Sequence, residues 1–545
     1  MKVRKVLAMG AAATLSVLTL AACGSKQSSS GHKGQLNVME SAEMPTLDPS
    51  IATDDVSMTA LSNTFSGIYR IGKDAKPKNE LATKTTESKD GLHWTFNLRH
   101  GTKWSNGDPV TAQDFVYSWQ RTNDPKTASQ YSYLFEGVKN ADAVQSGKMK
   151  PSALGIKADG KYKLSVTLSK PIPYFKLLLG FPTFFPQDKK VVEKYGKNYG
   201  QTSTHQVYNG PFKVQGYKGT NSKWDWAKNS TYWDKKHVKL NKINFQVVKE
   251  NSTQLNMYNS KKADMTQLSG DQVAQYKNNK NYIYRPGSSA AYVELNEDKV
   301  PAFKNQKIRA ALSYAISRTQ LTNNILQDGS KPARTFTPAK LAKDPKTGED
   351  FAKEAEVKGA VKQDLTKAKT LLKEGEKEAG ITDLKFTLMA DDTDTGKKNA
   401  EFLQSEFQKL PGVKVSVQNV PYKTRLTRSA AHNFQAVITL WGADYNDPYT
   451  FALFTSDGAY NDGLWKNATY DQNVKDSAGK NALNKEARFK NLITADQTLV
   501  KDYGILPLYT GSFSGSGPFL QRPYVKGIIY NSAGINWNYK YAYVK

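Results

Sequence analysis

A chain of 545 residues with a single cysteine must hold itself together without any internal disulfide. That matters because Cys23 follows directly on "MKVRKVLAMGAAATLSVLTLAA", which starts basic, runs apolar from Val6 to Leu20 and ends on small residues. Such a leader, residues 1–22, reads as a secretory signal peptide, with an apolar run too short to span a bilayer. Small exported domains with too little core depend on disulfide staples. This chain has to rely on burial instead. Its length exceeds what one core organises and suggests two or three domains. A hydrophobic content of 38% against 23% charged residues is that of an ordinary globular protein.

The residues around the cysteine also suggest where the protein works. Leu20-Ala21-Ala22-Cys23 matches the lipobox of bacterial lipoproteins, in which a diacylglycerol is attached to the thiol and cleavage follows before the Cys. "GSKQSSSGHKG" comes next, so residues 23–35 read as a lipidated Cys on a polar, flexible tether. The expectation is an exported protein held on the outer face of the membrane by Cys23.

Beyond the tether, helical and extended patterns alternate. "WTFNLR" puts Trp94, Phe96 and Leu98 on one strand face. Thr111 and Asp114 have capping-box spacing ahead of a helix carrying Phe115, Val116 and Trp119. "KYKLSVTLS" reads as a strand, and "NQKIRAALSYAISRTQL" carries Ile308, Leu312, Ala315 and Ile316 at helical spacing. A further helix is expected over residues 399–410, then a strand through Val413, Val415 and Val417. The apolar run Ala436 to Trp441 reads as a buried strand that exits through Gly442 and Ala443 onto a carboxylate, Asp444. Such alternation implies α/β lobes with mixed sheets.

Familiar catalytic signals are missing. The six histidines form no H-E-x-x-H and no i, i+4 pair, and no G-x-S-x-G, Walker or G-x-G-x-x-G pattern occurs. Cys23 apart, there is no thiol for nucleophilic or zinc-thiolate chemistry. No catalytic residue, metal site or cofactor is therefore expected, although a carboxylate pair of the glycosidase kind is not excluded by composition. The net charge is +27, with 77 Lys and Arg against 50 Asp and Glu. Export argues against nucleic acid as the partner of that charge; anionic cell-wall polymers or lipid headgroups are the partners it suits.

Five stretches in order then resemble one family. "HWTFNLRHGTKWSNGDPVTAQDFVYSWQR" (residues 93–121) resembles the signature of the peptide-binding proteins of ABC importers, extracytoplasmic solute-binding protein family 5. "MPTLDPS", "YNGPFKVQGY" with "NSTYWD", "AFKNQKIRAALSYAISR" and "ILPLYTGS" resemble further family segments. The lipobox fits, since Gram-positive members are tethered lipoproteins. The Trp104 region reads as a determinant of fold rather than of ligand contact.

The resemblance implies an α/β, two-lobed periplasmic-binding-protein-like (type II) fold with an extra inserted lobe, three lobes in all, and a ligand cleft between the two large ones. Lobe I would be discontinuous over 36–65, 206–297 and 511–545, with lobe II inserted at 66–205 and lobe III at 298–510. It implies capture of an extended oligopeptide by backbone pairing, then delivery to ABC permease and ATPase subunits by a monomer. On its residues alone Asp444 reads equally as a turn or capping aspartate. The resemblance implies that Asp444 meets the peptide α-ammonium and Trp441 walls the site, while Gly442 and Ala443 let the backbone approach. By the same resemblance Thr53, Asp54 and Asp55 sit on the opposite lobe's loop and Tyr422 lies against the ligand. Ile438 stands where some enteric relatives carry an Arg, which leaves the reader of the peptide carboxylate open. A peptide-pheromone receptor is the alternative within the class; a basic surface adhesin or a secreted hydrolase are the alternatives outside it.

Overall fold

The computed structural model describes residues 34–512 and 515–545. The leader, Cys23 and all but the end of the expected tether lie outside the described residues. The last tether residue, Gln35, already begins a strand, because Gln35–Glu40 pairs in parallel with Lys242–Val247.

Two larger bodies and a smaller one are built around separate sheets. In the first, the order is Gln35–Glu40, Lys242–Val247, Lys223–Lys228, Phe212–Gln215. Beside it, Gly517–Gln521 runs antiparallel between Met265–Gln267 and Tyr282–Arg285, so chain from both ends meets in lobe I. Lobe II has the antiparallel order Ala82–Glu87, His93–Leu98, Lys163–Thr167, Ile156–Ala158. Trp94, Phe96 and Leu98 are buried on one face of its second strand, as the alternation requires. The helix Ala112–Asn123 covers this lobe, and the Asp114 carboxylate accepts from the Thr111 N–H at 2.7 Å. Trp104 is fully enclosed, its indole 3.4 Å from the same carboxylate.

Lobe III carries a six-stranded mixed sheet in the order Lys331–Pro332, Leu506–Thr510, Ser289–Leu295, Ala436–Gly442, Leu384–Asp391, Val413–Val420. Ser289–Leu295, which the sequence reading assigns to lobe I by ending that segment at 297, lies near the middle of this sheet. It pairs antiparallel with Ala436–Gly442 on one side and Leu506–Thr510 on the other. Buried along its whole length, it belongs where both faces are covered. Helix Gln306–Ala315 packs against this sheet through Ile308, Leu312 and Ala315. It starts where the Asn305 side chain accepts from the N–H groups of Lys307 and Ile308. The helix expected from 399 begins earlier, at Asp394, because Thr393 caps it through the Gly396 N–H.

The crossings between lobes I and III run side by side. A Cβ on Gly287 would sit 2.2 Å from the Gly511 carbonyl oxygen, and Gly511 itself has φ +109°. Only glycine fits both requirements, close approach at 287 and left-handed backbone at 511.

Candidate functional site

The strand Ala436–Gly442 ends at the seam of the three lobes. Its last residues, with Asp444, line a cleft of about 1010 Å³, space open to solvent included. Thr53, Asp54 and Asp55 line the same cleft from lobe I, and Tyr422, Trp441, Gly442 and Ala443 from lobe III. All eight residues singled out in the sequence are thus brought together. A second cavity of about 960 Å³ shares Asp55, Tyr422 and Leu440 with the first and continues past Ile438 to Lys249. Ile438 therefore faces that extension, where it can offer no charge.

Asp444 is held by groups from beyond its own segment. Its Oδ1 accepts from the Tyr131 hydroxyl at 3.0 Å, a residue of lobe II, and its N–H donates to Thr450 Oγ1 at 3.0 Å. The other oxygen, Oδ2, is shut away from solvent and accepts no hydrogen bond from the described residues. Burial pushes this carboxyl up to about 8, and the single Tyr131 hydrogen bond does not offset it. A buried, half-satisfied carboxylate is costly unless a donor arrives, and a cationic donor suits it best.

Aromatic rings wall the same corner. Trp441 fixes its indole on the Thr450 carbonyl at 2.9 Å and meets Tyr460 edge-on at 4.6 Å between ring centroids. Tyr131 stands 5.5 Å from Tyr460 and 6.3 Å from Trp441. Gly442 closes its strand opposite Ser289, and a Cβ built on it would meet nothing within 4 Å, so cleft rather than protein lies beside it. The Ala443 backbone, by contrast, is already engaged: its N–H donates to the Ser288 carbonyl at 2.8 Å and its carbonyl accepts from the Gly534 N–H at 2.6 Å.

On the lobe I side, Asp54 caps the helix Asp55–Thr64, its Oδ1 accepting from the Ser57 N–H at 2.8 Å. Its Oδ2 is enclosed without a partner among the described residues. Burial raises Asp54 to about 6 despite the Ser57 bonds, and raises Asp55, with Asp54 adding repulsion, to about 7. Tyr422 opens the helix Tyr422–Ala430 and lies 5.2 Å below the Arg425 guanidinium. Arg425 in turn donates to Asp391 Oδ1 and Thr439 Oγ1, both at 3.1 Å.

Sequence reading missed Tyr131, Arg425, Glu294, Asp462 and the Gly534–Asn536 segment, all of which line the cleft. Tyr131 sits in a 3₁₀ stretch with no periodic signature, and Asp444 lies 313 residues further on. Among the described residues no group of three or more His, Cys, Asp or Glu could hold a metal ion, and no helix is long and apolar enough to cross a membrane.

The lobes are drawn together around the cleft. Lys249 bridges Glu43 of lobe I (2.6 Å) and Asp392 of lobe III (2.7 Å), and Tyr174 of lobe II stacks on Tyr445 at 4.8 Å.

Comparison with known proteins sets this geometry in context. Residues 76–462 match the model for bacterial extracellular solute-binding proteins, family 5 Middle. A dipeptide-binding protein of Lactococcus lactis is 38% identical over the whole of both chains. OppA of Listeria monocytogenes bound to peptide is 40% identical and superposes with a TM-score of 0.89, covering 94% of this chain and 99% of that one. The Escherichia coli murein tripeptide binding protein MppA, 29% identical, scores 0.84 over 94% and 98% of the two chains. An unliganded open form of MppA scores 0.59 over 94% and 97%. The lobes here are therefore arranged far more like the higher-scoring forms than like the open one.

Proposed function

The chain belongs to the bacterial extracellular solute-binding proteins of family 5, and from that membership and the cleft together we propose that it captures extended oligopeptides by their free N-terminus. The observation that carries this reading is Asp444. One oxygen is positioned by Tyr131 and the other is enclosed in the cleft without a donor. A peptide α-ammonium supplies the missing donors and the missing charge at once. Trp441, Tyr131 and Tyr460 surround that end of the ligand, and the open space beside Gly442 receives its main chain.

Further along, Tyr422 packs against the ligand and the Thr53–Asp55 segment meets its backbone from lobe I. Main-chain pairing is indifferent to side chains, so such a site accepts many sequences. The extension toward Lys249 gives room for peptides longer than two residues. No covalent step is required, and the protein acts as a receptor rather than an enzyme.

Capture works by closure. Bringing the lobes together removes Asp444 from water, which is unfavourable for an empty cleft and favourable when the ammonium comes with it. The paired crossings at Gly287 and Gly511 are the hinge about which lobes I and III move. Lobe I is then built from residues 36–65, 206–288 and 511–545, lobe II from 66–205 and lobe III from 289–510. Through Cys23 the mature monomer is lipid-anchored to the outer face of the cell membrane, from which it delivers its peptide to an ABC permease and its ATPase.

Denaturing freshly purified mature protein and weighing the released small molecules tests the reading. Peptides with free N-termini are expected. A non-peptide ligand, or a cleft that stays empty and ignores added peptides, contradicts it.

A further inference from the structure

The ionisable lining of the cleft is acidic although the protein as a whole is basic. Against a net charge of +27, the first cavity is lined, among the described residues, by five carboxylates, Asp54, Asp55, Glu294, Asp444 and Asp462, and by one cation, Arg425. Arg425 is spent on Asp391 and Thr439 and makes no hydrogen bond to either Glu294 or Asp462.

Glu294 and Asp462 form a second anionic corner, apart from Asp444. Glu294 points out of the central strand Ser289–Leu295, opposite Val437, and its Oε2 accepts from the Gly463 N–H at 2.9 Å. That bond ties it to the residue next to Asp462. Asp462 is itself 8% exposed, and its Oδ1 is enclosed without a hydrogen-bond partner among the described residues. His432 holds the backbone of this turn, a ring nitrogen 2.9 Å from the Asp462 carbonyl oxygen. Burial, together with repulsion from Asp462 at Glu294, raises both carboxyls above the ordinary range, although the charge of Arg425, and of His432 at Asp462, acts the other way without offsetting it. Two acids buried side by side against a committed arginine are an unfavourable arrangement to keep in an empty cleft. A ligand cation relieves it.

We propose that Glu294 and Asp462 form a side-chain subsite that takes the ammonium or guanidinium of a lysine or arginine in the bound peptide. The cleft thereby selects basic peptides from those that its main-chain contacts would otherwise accept alike. This rests on the peptide reading above but does not follow from it, since Asp444 needs only a free N-terminus. The partner is set by chemistry: an unpaired buried carboxylate oxygen rewards a donor carrying positive charge, and an isosteric apolar side chain leaves it unpaired. With Arg425 committed elsewhere, acidic side chains are repelled by the same corner.

Calorimetric titration of the whole mature protein with one peptide length tests it. Lysine is moved through each position in turn, and norleucine at the same position serves as the uncharged isostere. The result expected is one position at which lysine binds at least tenfold more tightly than norleucine. At that position Asp462→Asn, and separately Glu294→Gln, should bring the two peptides to within about threefold of each other. Lysine and norleucine binding alike at every position would overturn the proposal while leaving the peptide reading intact. So would a lysine preference that survives both substitutions. Peptides that fail to bind at all would overturn the peptide reading, and this subsite with it.

Discussion

Replacing Asp444 by Asn changes the charge at the end of the cleft and little else. The amide oxygen can still accept from Tyr131, so no hydroxyl is orphaned, and the side-chain volume is kept. Truncating one partner of a buried charge pair costs about 2–5 kcal/mol. Part of that is returned here. Burial holds Asp444 at about 8, so at pH 7 an empty closed cleft carries a proton that the ligand must displace, at about 1.4 kcal/mol for one unit. What remains is about 0.6–3.6 kcal/mol, or roughly 3- to 400-fold in affinity. The assay is a calorimetric cycle of native protein and Asp444→Asn against one peptide with a free and with an acetylated N-terminus. Acetylation should weaken binding to the native protein by that factor and hardly affect the variant. An equal loss for both proteins would refute the pairing of Asp444 with the ammonium.

Three other outcomes follow from the same geometry. Gly442→Val adds a side chain into open cleft at the end of a strand, so stability should hold within about 0.5 kcal/mol while peptide affinity falls at least tenfold; calorimetry and thermal melts read both. Asp54, Asp55 and Asp444 stand at about 6, 7 and 8 in the closed cleft. Groups raised in this way stabilise closure most below their ordinary values near 4, and that contribution is lost as pH climbs through 6 to 8. Ligand-free protein should therefore show a smaller radius of gyration by X-ray scattering at pH 5 than at pH 8.5, and the reverse order would contradict the argument. Away from the cleft, burial would raise Glu80, but Arg70 and Lys540 outweigh it and hold the carboxyl down at about 2. Glu80→Gln leaves Arg70 without its carboxylate and Lys540 with Asp234 alone, and should cost about 3–5 kcal/mol at pH 7 in a denaturant titration. In the native protein that contribution is complete above about pH 4.3 and fades as pH falls toward 2.

What the sequence disclosed, and what it hid, follows from the range of the interactions. Trp94, Phe96 and Leu98 alternate because a strand with one covered face must, and Asn305 or Thr393 begin helices by bonding their own next turn. The run Ala436 to Trp441 declares a buried strand, whereas Asp444 behind it reads on its residues alone equally as a turn aspartate and is tied to a ligand only through the family resemblance. The helix starts ahead of Asn399 without a sequence signal because its first turn, Asp394 to Lys398, carries no apolar residue. Glu294 was invisible as a cleft residue because its strand, adjacent in sequence to lobe I, joins the lobe III sheet through partners at 436–442 and 506–510. Tyr131 reaches Asp444 across 313 residues, and no local pattern encodes that meeting. The acidic lining of a strongly basic protein was hidden for the same reason: composition counts charges, and only the fold sorts them.

A crystal structure of the mature protein with a bound peptide puts the central claim to its most direct test. The account places the peptide's α-ammonium within hydrogen-bond distance, about 2.7–2.9 Å, of Asp444 Oδ2, with Tyr131 still on Oδ1. A peptide bound in the opposite sense, or one whose N-terminus lies away from Asp444, would contradict it.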